Sequence, residues 1–324
     1  MQSGFESDLH FLGEPVGPLT RVHGGLLNRT WRLETDQGVF AVKELTRDRD
    51  WTYRHDDIFR LERAAFSAGI PMPEPISADA EILVHRWVDG TKVPEEPVAE
   101  AFAFEVGELL ARLHSLRLEW PHATVTISVP AEWAEIATRA AATGQPWADE
   151  LLAAVDSFTA ISAFVDDCPR RGPVVLTHRD INPRNLLDAG GHPIVLDWEV
   201  AGRAHLASEL GSTALNVAKR RGFDHIEPTV FRAVLDGYVA GGGTLPEPGP
   251  DWFVDMLGGW ASFVRWNMLR CLAGVEAPTG PDLALSHDTV RTGLSGLPDM
   301  FARLPRLEDL LVTALHGTRA RPRM

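Results

Sequence analysis

The chain has 324 residues, 44% hydrophobic and 23% charged, enough apolar content to bury a sizeable core as one bilobal unit or two domains. Its formal net charge of -14 argues against nucleic acid and membrane surfaces as general partners, because both are anionic. Cys168 and Cys271, the two cysteines, show neither metal-ligand spacing nor a disulfide framework. With no signal-like start and no apolar run of bilayer length, a cytoplasmic protein is expected.

Residues 20–90 read mostly as β-structure. Thr30–Thr35 alternates imperfectly, Asp36-Gln37-Gly38 is a turn and Val39–Lys43 a second strand, together a hairpin with a glycine-containing loop. Ahead of it, Gly24 and Gly25 allow a tight turn and close backbone approach to a ligand. A helix is expected over about 54–68, with Ile58, Leu61 and Ala65 on one apolar line and Phe59, Glu62 and Phe66 on the next. Gly69, Pro71, Pro73 and Pro75 stop it. Glu81–Gly90 reads as a strand entering a turn, and a boundary placed there divides the chain into 1–90 and 91–324. From about residue 98 the pattern turns helical. Phe102, Val106, Leu109 and Leu113 share one face of a helix ending near His114, and Leu151–Val165 forms another. Residues 121–147 lack a dominant period, apart from a short helix expected around Trp133.

The chemistry concentrates in Leu176-Thr177-His178-Arg179-Asp180-Ile181-Asn182-Pro183-Arg184-Asn185. His-Arg-Asp, four residues and Asn form the polar core of a kinase catalytic loop, and the apolar run Ile194-Val195-Leu196 then ends in a second acid, Asp197. Asp180 can hydrogen-bond an acceptor hydroxyl and take its proton. Asn185 and Asp197 offer hard oxygens that suit Mg²⁺. His178 is expected to support the loop by hydrogen bonding. Lys43 ends its strand on one face with Val39 and Ala41. A small residue at 41 lets a flat base lie over the strand, and the lysine can then reach the phosphates. Glu62, set among apolar neighbours on the following helix, needs a partner, and Lys43 is the expected one. Trp252, Trp260 and Trp266 are read as sharing a helix with Asp251, Asp255 and Asn267. Such a mixed aromatic and acidic face suits a cationic, polyhydroxylated ligand.

These residues, in this order, resemble the aminoglycoside phosphotransferase and choline kinase-like superfamily from about residue 20 to 211. Gly24 to Trp31 is similar to the family's nucleotide loop, which implicates Gly24, Gly25 and Asn28. Phe40-Ala41-Val42-Lys43 resembles its lysine strand, Glu62 with Gly69-Ile70-Pro71 its helix and exit, and Leu83–Gly90 its hinge. Leu110–His114 resembles the helix under the active site. The resemblance implies an α+β, protein-kinase-like bilobal fold, with a small lobe of antiparallel sheet and one main helix over a larger helical lobe. It implies ATP held through backbone groups of Arg86 and Val88, and Mg²⁺ at Asn185 and Asp197. Asp197-Trp198-Glu199 follows the family, and Glu199 joins the candidate substrate contacts. Two positions depart from it. Arg179 stands where a small residue is commonest, and Glu209 where an Asp commonly braces the loop. The Gly-x-Gly-x-x-Gly, Asp-Phe-Gly and Ala-Pro-Glu signals of a protein kinase are missing.

The expected activity is ATP- and Mg²⁺-dependent transfer of the γ-phosphate to a hydroxyl of a small molecule, by a monomer or homodimer. A cationic, polyhydroxylated antibiotic is the leading acceptor. A metabolic kinase for a sugar or amino alcohol is the alternative, and a catalytically inactive nucleotide-binding module is a third reading of another class.

Overall fold

The computed structural model describes residues 6–22, 28–45, 55–78, 82–220, 225–274 and 283–319. Strand β2 (Arg29–Thr35) turns through Asp36 and Gln37 into β3 (Gly38–Glu44), in register from Arg29–Glu44 to Thr35–Gly38. With β1 (Thr20–Val22), β4 (Pro75–Ala78) and β5 (Ile82–Arg86) they form an antiparallel five-stranded sheet ordered β1-β2-β3-β5-β4. Period two divides β3. Phe40 and Val42 pack with Leu33, Ile82 and Val84, and with Leu9 and Leu12 of an N-terminal 3-10 segment. Ala41 and Lys43 therefore take the other face.

Helix α1 (His55–Ser67) directs Ile58, Leu61 and Ala65 into the main core, as their spacing predicts. It ends on Gly69, at φ 76°, where Ile70 N–H donates to Ala65 O and Gly69 N–H to Phe66 O. That paired closure needs a left-handed residue, which glycine adopts without strain.

Beyond the hinge the chain is mainly helical: α2 (Glu100–His114), α3 (Trp133–Ala142), α4 (Ala148–Asp167), α5 (Leu206–Ala218), α6 (Pro228–Ala240), α7 (Val254–Ala273), α8 (Leu283–Ala302) and α9 (Leu304–Arg319). α2 and α6 meet backbone to backbone. A Cβ on Gly107 would come 2.1 Å from Val234 O, and one on Gly237 1.9 Å from Phe104 O. α7 begins after a 3-10 turn at Pro250–Trp252, so Asp251 and Trp252 precede the helix that carries Trp260 and Trp266.

Three short strand pairings carry the site. β7 (Val174–Thr177) pairs with β10 (Gly202–His205), while β8 (Leu186–Asp188) lies between β6 (Thr91–Lys92) and β9 (Pro193–Val195). The sequence Gly202-Arg203-Ala204-His205 has no β-branched or alternating signal. Its strand state comes from its partner, β7. Among the described residues no helix is long and apolar enough to cross a membrane.

Candidate active site

The loop from β7 to β8 passes through one 3-10 turn, Pro183–Asn185. Asn182 starts the turn, its Oδ1 accepting from Arg184 N–H at 2.9 Å, and Pro183 occupies the first position, where no donor is needed. This places an asparagine on each side of Asp180. Asn182 Nδ2 donates to Oδ1 and Asn185 Nδ2 to Oδ2, each at 2.8 Å. With its amide nitrogen so engaged, Asn185 keeps its side-chain oxygen as an acceptor. Asp180 opens onto the cleft but is ringed by protein. That burial pushes its carboxyl up to about 7, with Asp197 adding to the rise and the two asparagines opposing it.

Arg179 (φ 68°) and Asp197 (φ 63°) both adopt left-handed backbone. For residues with a Cβ this costs on the order of 1 kcal/mol or more, so surrounding bonds must hold it. Arg179 N–H donates to Glu209 Oε1 at 3.2 Å, and its Nη1 to Val200 O at 3.1 Å. His178 Nε2–H donates to Leu196 O at 2.9 Å, Asp180 N–H donates to His178 Nδ1 at 3.3 Å, and the ring meets Trp198 edge-on. The loop is thus tied to the strand that delivers Asp197.

Beneath the loop runs a directed chain of hydrogen bonds. Tyr238 O–H donates to His114 Nδ1 (3.1 Å), His114 Nε2–H to Thr177 Oγ1 (3.0 Å), and Thr177 O–H to Glu209 Oε1 (2.9 Å). A carboxylate at the end can only accept, which fixes every donor before it. Burial raises Glu209, lowers His114 to about 3 and lowers His178 to about 4. Below pH 6.5 the unfolded chain therefore takes up a proton at residue 114 that the folded chain refuses until about pH 3. His114 contributes stability above pH 6.5 that is lost progressively as the pH falls, at up to about 1.4 kcal/mol per pH unit. Urea unfolding at pH 7.5 and pH 5 should give a smaller acid loss for His114→Gln than for the natural chain. Equal losses would mean that His114 titrates normally in the folded state.

Across the cleft, Lys43 Nζ donates to Asp197 Oδ1 at 2.8 Å and pairs closely with Glu199 Oε1. Asn28 Nδ2 holds the same Glu199 oxygen at 2.5 Å. Burial alone would lower Lys43, but Asp197 and Glu199 outweigh it and hold the lysine above its ordinary range. Burial acts to raise both acids. At Asp197 the charge and hydrogen bond of Lys43 more than offset it, whereas Glu199 stays raised. The Asp197 side chain is 43% exposed, so it remains open to a ligand from the cleft.

The expected Lys43–Glu62 ion pair does not form. Glu62 is buried, and His85 Nε2 lies 3.1 Å from its Oε2. His85 stands directly opposite Ala41 in the β3–β5 ladder, so it shares the Ala41 face and meets the carboxylate first. Lys43 turns to Asp197 and Glu199 instead.

Gly24 and Gly25 lie outside the described residues. At the hinge, Arg86 N–H donates to Glu74 O (2.8 Å) and Trp87 N–H to Val39 O (2.9 Å), tying the strand on both sides before Val88 leaves it. The acidic and aromatic wall expected for a cationic ligand does not assemble. Arg171 N–H and Nη2 occupy Asp251 at 3.1 and 3.0 Å, and Arg170 Nε occupies Asp255 at 3.0 Å. Asn267 is buried and bonds back to Phe263 O, while Trp266 stacks on Phe263 and faces Arg270. The arginines that neutralise these acids come from the turn after α4, which no pattern along the chain connects to α7. Trp260 faces the protein's own cation, with Lys219 Nζ 5.9 Å from its ring centroid. No local signal marks Lys219; the fold of α5 brings it there.

Sheet, hinge and catalytic loop define a phosphotransferase with a protein-kinase-like α+β fold that acts on small-molecule hydroxyl groups. The family model described as "Phosphotransferase enzyme family" matches residues 18–252, and the chain belongs to that family. No curated protein matches the chain. Among solved structures it is similar to a spectinomycin phosphotransferase in complex with ADP and spectinomycin (12% identity, 90% of this chain, 95% of that one, TM-score 0.61). It is also similar to the Plasmodium vivax ethanolamine kinase (13%, 90% and 83%, TM-score 0.60). A third is the macrolide 2'-phosphotransferase of Brachybacterium faecium (19%, 88% and 95%, TM-score 0.53). At these identities the likeness carries the fold.

Proposed function

We propose that the chain transfers the γ-phosphate of ATP to a hydroxyl of a small natural product, an antibiotic first, with Mg²⁺ as the metal. One observation carries this reading: Asp180, held by Asn182 and Asn185, lies close enough to Asp197 to feel its charge, and Asp197 with Glu199 holds Lys43. Asp180 orients the acceptor hydroxyl and receives its proton as that oxygen bonds to the γ-phosphorus and the bond to the leaving ADP breaks. Lys43 neutralises the α- and β-phosphates. Ala41 leaves room for the base, Arg86 and Val88 offer it backbone groups, and Gly24, Gly25 and Asn28 are assigned to the nucleotide. Residues 1–90 serve the nucleotide, and 91–324 carry the catalytic loop, the metal donors and the acceptor pocket, in the cytoplasm.

Asn185 and Asp197 offer hard side-chain oxygens, the donor type that suits Mg²⁺. Asp197 already holds the ammonium of Lys43, so it lies where a cation is stabilised. When bound, Mg²⁺ would neutralise phosphate charge. Asp197→Ala is expected to lower Mg²⁺-dependent nucleotide affinity at least about tenfold in calorimetry, as for loss of one partner of a close charge pair. Wild-type affinity in that variant would reject the assignment.

The likeness to macrolide and spectinomycin phosphotransferases supports an antibiotic acceptor, and the likeness to an ethanolamine kinase supports a metabolic one. An ATP-consumption screen over antibiotics and hydroxylated metabolites, with mass analysis for a phosphate adduct, separates them. Turnover of a primary metabolite alone would replace the antibiotic reading, and no turnover at all would leave a nucleotide-binding module.

A further inference from the structure

The fold commits the acid expected to hold Lys43 elsewhere. Glu62 of α1 is 2% exposed, and its Oε2 accepts from His85 Nε2–H at 3.1 Å. A carboxylate can only accept, so this bond fixes the ring proton on Nε2. His85 stands on β5 opposite Ala41, whereas Lys43 stands opposite Leu83. The pair therefore ties α1 to the sheet without the lysine.

Glu199 is placed the other way. Asp197 has a left-handed backbone, and Ala201 N–H donates to Trp198 O at 2.8 Å, closing a turn directly after it. Trp198 is buried against His178, with ring centroids 4.8 Å apart, and the acids on either side of it both meet Lys43. Asn28 Nδ2 donates at 2.5 Å to the same Glu199 oxygen that pairs with the lysine. Asn28 precedes β2, whose Thr30 stands opposite Lys43, so both groups reach Glu199 from neighbouring strands. The Glu199 side chain is 16% exposed and held by its own partner, whereas that of Asp197 is 43% exposed and assigned to the metal. A long, flexible lysine side chain loses rotamer freedom when it meets a phosphate, and an acid that fixes it beforehand lowers that cost.

We propose that Glu199, rather than the helix acid Glu62, positions Lys43 for the phosphates of the nucleotide. Glu62 with His85 then fastens α1 to the sheet. Glu199 is a positioning residue, acting through the lysine. This deepens the phosphotransferase reading and rests on it.

The test compares the two acids in double-mutant cycles with Lys43→Met. Binding of N-methylanthraniloyl-ADP to the full chain is followed by fluorescence in EDTA, so that no metal ligand contributes. Plain repulsion between an acid and the phosphates is the same with either residue at 43, and the cycle cancels it. Glu199→Gln should cost about tenfold more affinity with lysine at 43 than with methionine, near the low end of the coupling of a close charge pair. Glu199→Asp, which keeps the charge on a shorter arm, should recover part of that loss. Glu62→Gln should cost the same with either residue. The proposal is overturned if Glu199 shows no coupling to Lys43, or coupling of the opposite sign, since the acid would then withhold the lysine. Coupling at Glu62 as large as at Glu199 overturns it equally.

A second measurement reads the lysine directly. The chain has three lysines, Lys43, Lys92 and Lys219, so labelling lysine Cε with ¹³C gives three signals, and Lys43→Arg assigns the one at issue. Without nucleotide, Glu199→Gln should raise the mobility of the Lys43 signal and Glu62→Gln should leave it ordered. The reverse pattern, or unchanged mobility in both, overturns the proposal. Absent ATP consumption with the coupling intact would defeat the phosphotransferase reading alone. Absent coupling with ATP consumed would defeat this proposal alone, and a natural chain that binds no ADP would defeat both.

Discussion

Asp180→Ala should reduce phosphate transfer about a thousandfold, within the range for losing a positioned acid–base group, and leave nucleotide affinity nearly unchanged. The split follows from the geometry. Lys43, the hinge and Asp197 lie on β3, after β5 and after β9, and make no bond to the Asp180 carboxylate. Asn185 does bond that carboxylate, but it also donates to Asp180 O at 2.9 Å, a bond that alanine retains. Asp180 instead receives Asn182 Nδ2 and Asn185 Nδ2, one on each oxygen. Those bonds orient the carboxylate, and its surroundings raise it to about 7, so it can take up a proton near neutral pH. Asp180→Asn is not a milder substitution, because an amide would turn a donor toward one of two donors. Initial rates with the acceptor found by screening, beside calorimetric titration of an ATP analogue, check both halves of the expectation. Unchanged turnover in Asp180→Ala would make the residue part of the loop's scaffold.

How much of this was legible along the chain depended on whether a residue's partner lay nearby in sequence. The β2–β3 hairpin and α1 were readable because period and turn chemistry are local. So was the loop itself: Asn182, Pro183 and Asn185 carry their own turn. The Lys43 partner was misplaced because helix spacing fixes the face of Glu62 but not what reaches it first. His85 does so through a strand register that only the folded sheet establishes. The acids at 251 and 255 failed as ligand contacts for a similar reason, since composition counts charges without showing that Arg171 and Arg170 are already bound to them. Lys219 illustrates the converse: a single lysine at a helix end has no motif, and only the packing of α5 brings it to the Trp260 ring.

Glu209 gives the second large effect. Glu209→Ala should destabilise the fold by about 3 kcal/mol and slow turnover strongly, because two buried donors lose their acceptor at once. Thr177 O–H and Arg179 N–H would both be stranded, and the chain through His114 and Tyr238 would lose the carboxylate that orders it. Arg179 would also keep its left-handed backbone without the bond that secures it, one residue before Asp180. Glu209→Gln retains an accepting oxygen and should cost only about 1 kcal/mol, the net worth of an ordinary hydrogen bond. Glu209→Asp separates bracing from charge. A carboxylate one methylene shorter must draw α5 toward the loop, and α5 also carries Asn216, whose Nδ2 donates to Ile181 O at 3.3 Å. It should therefore fall between glutamine and alanine in urea unfolding, with turnover reduced in step. Full activity in Glu209→Asp, with stability equal to the natural chain, would place the loop under the control of the Arg179 side chain and its bond to Val200 O rather than of the acid beneath it.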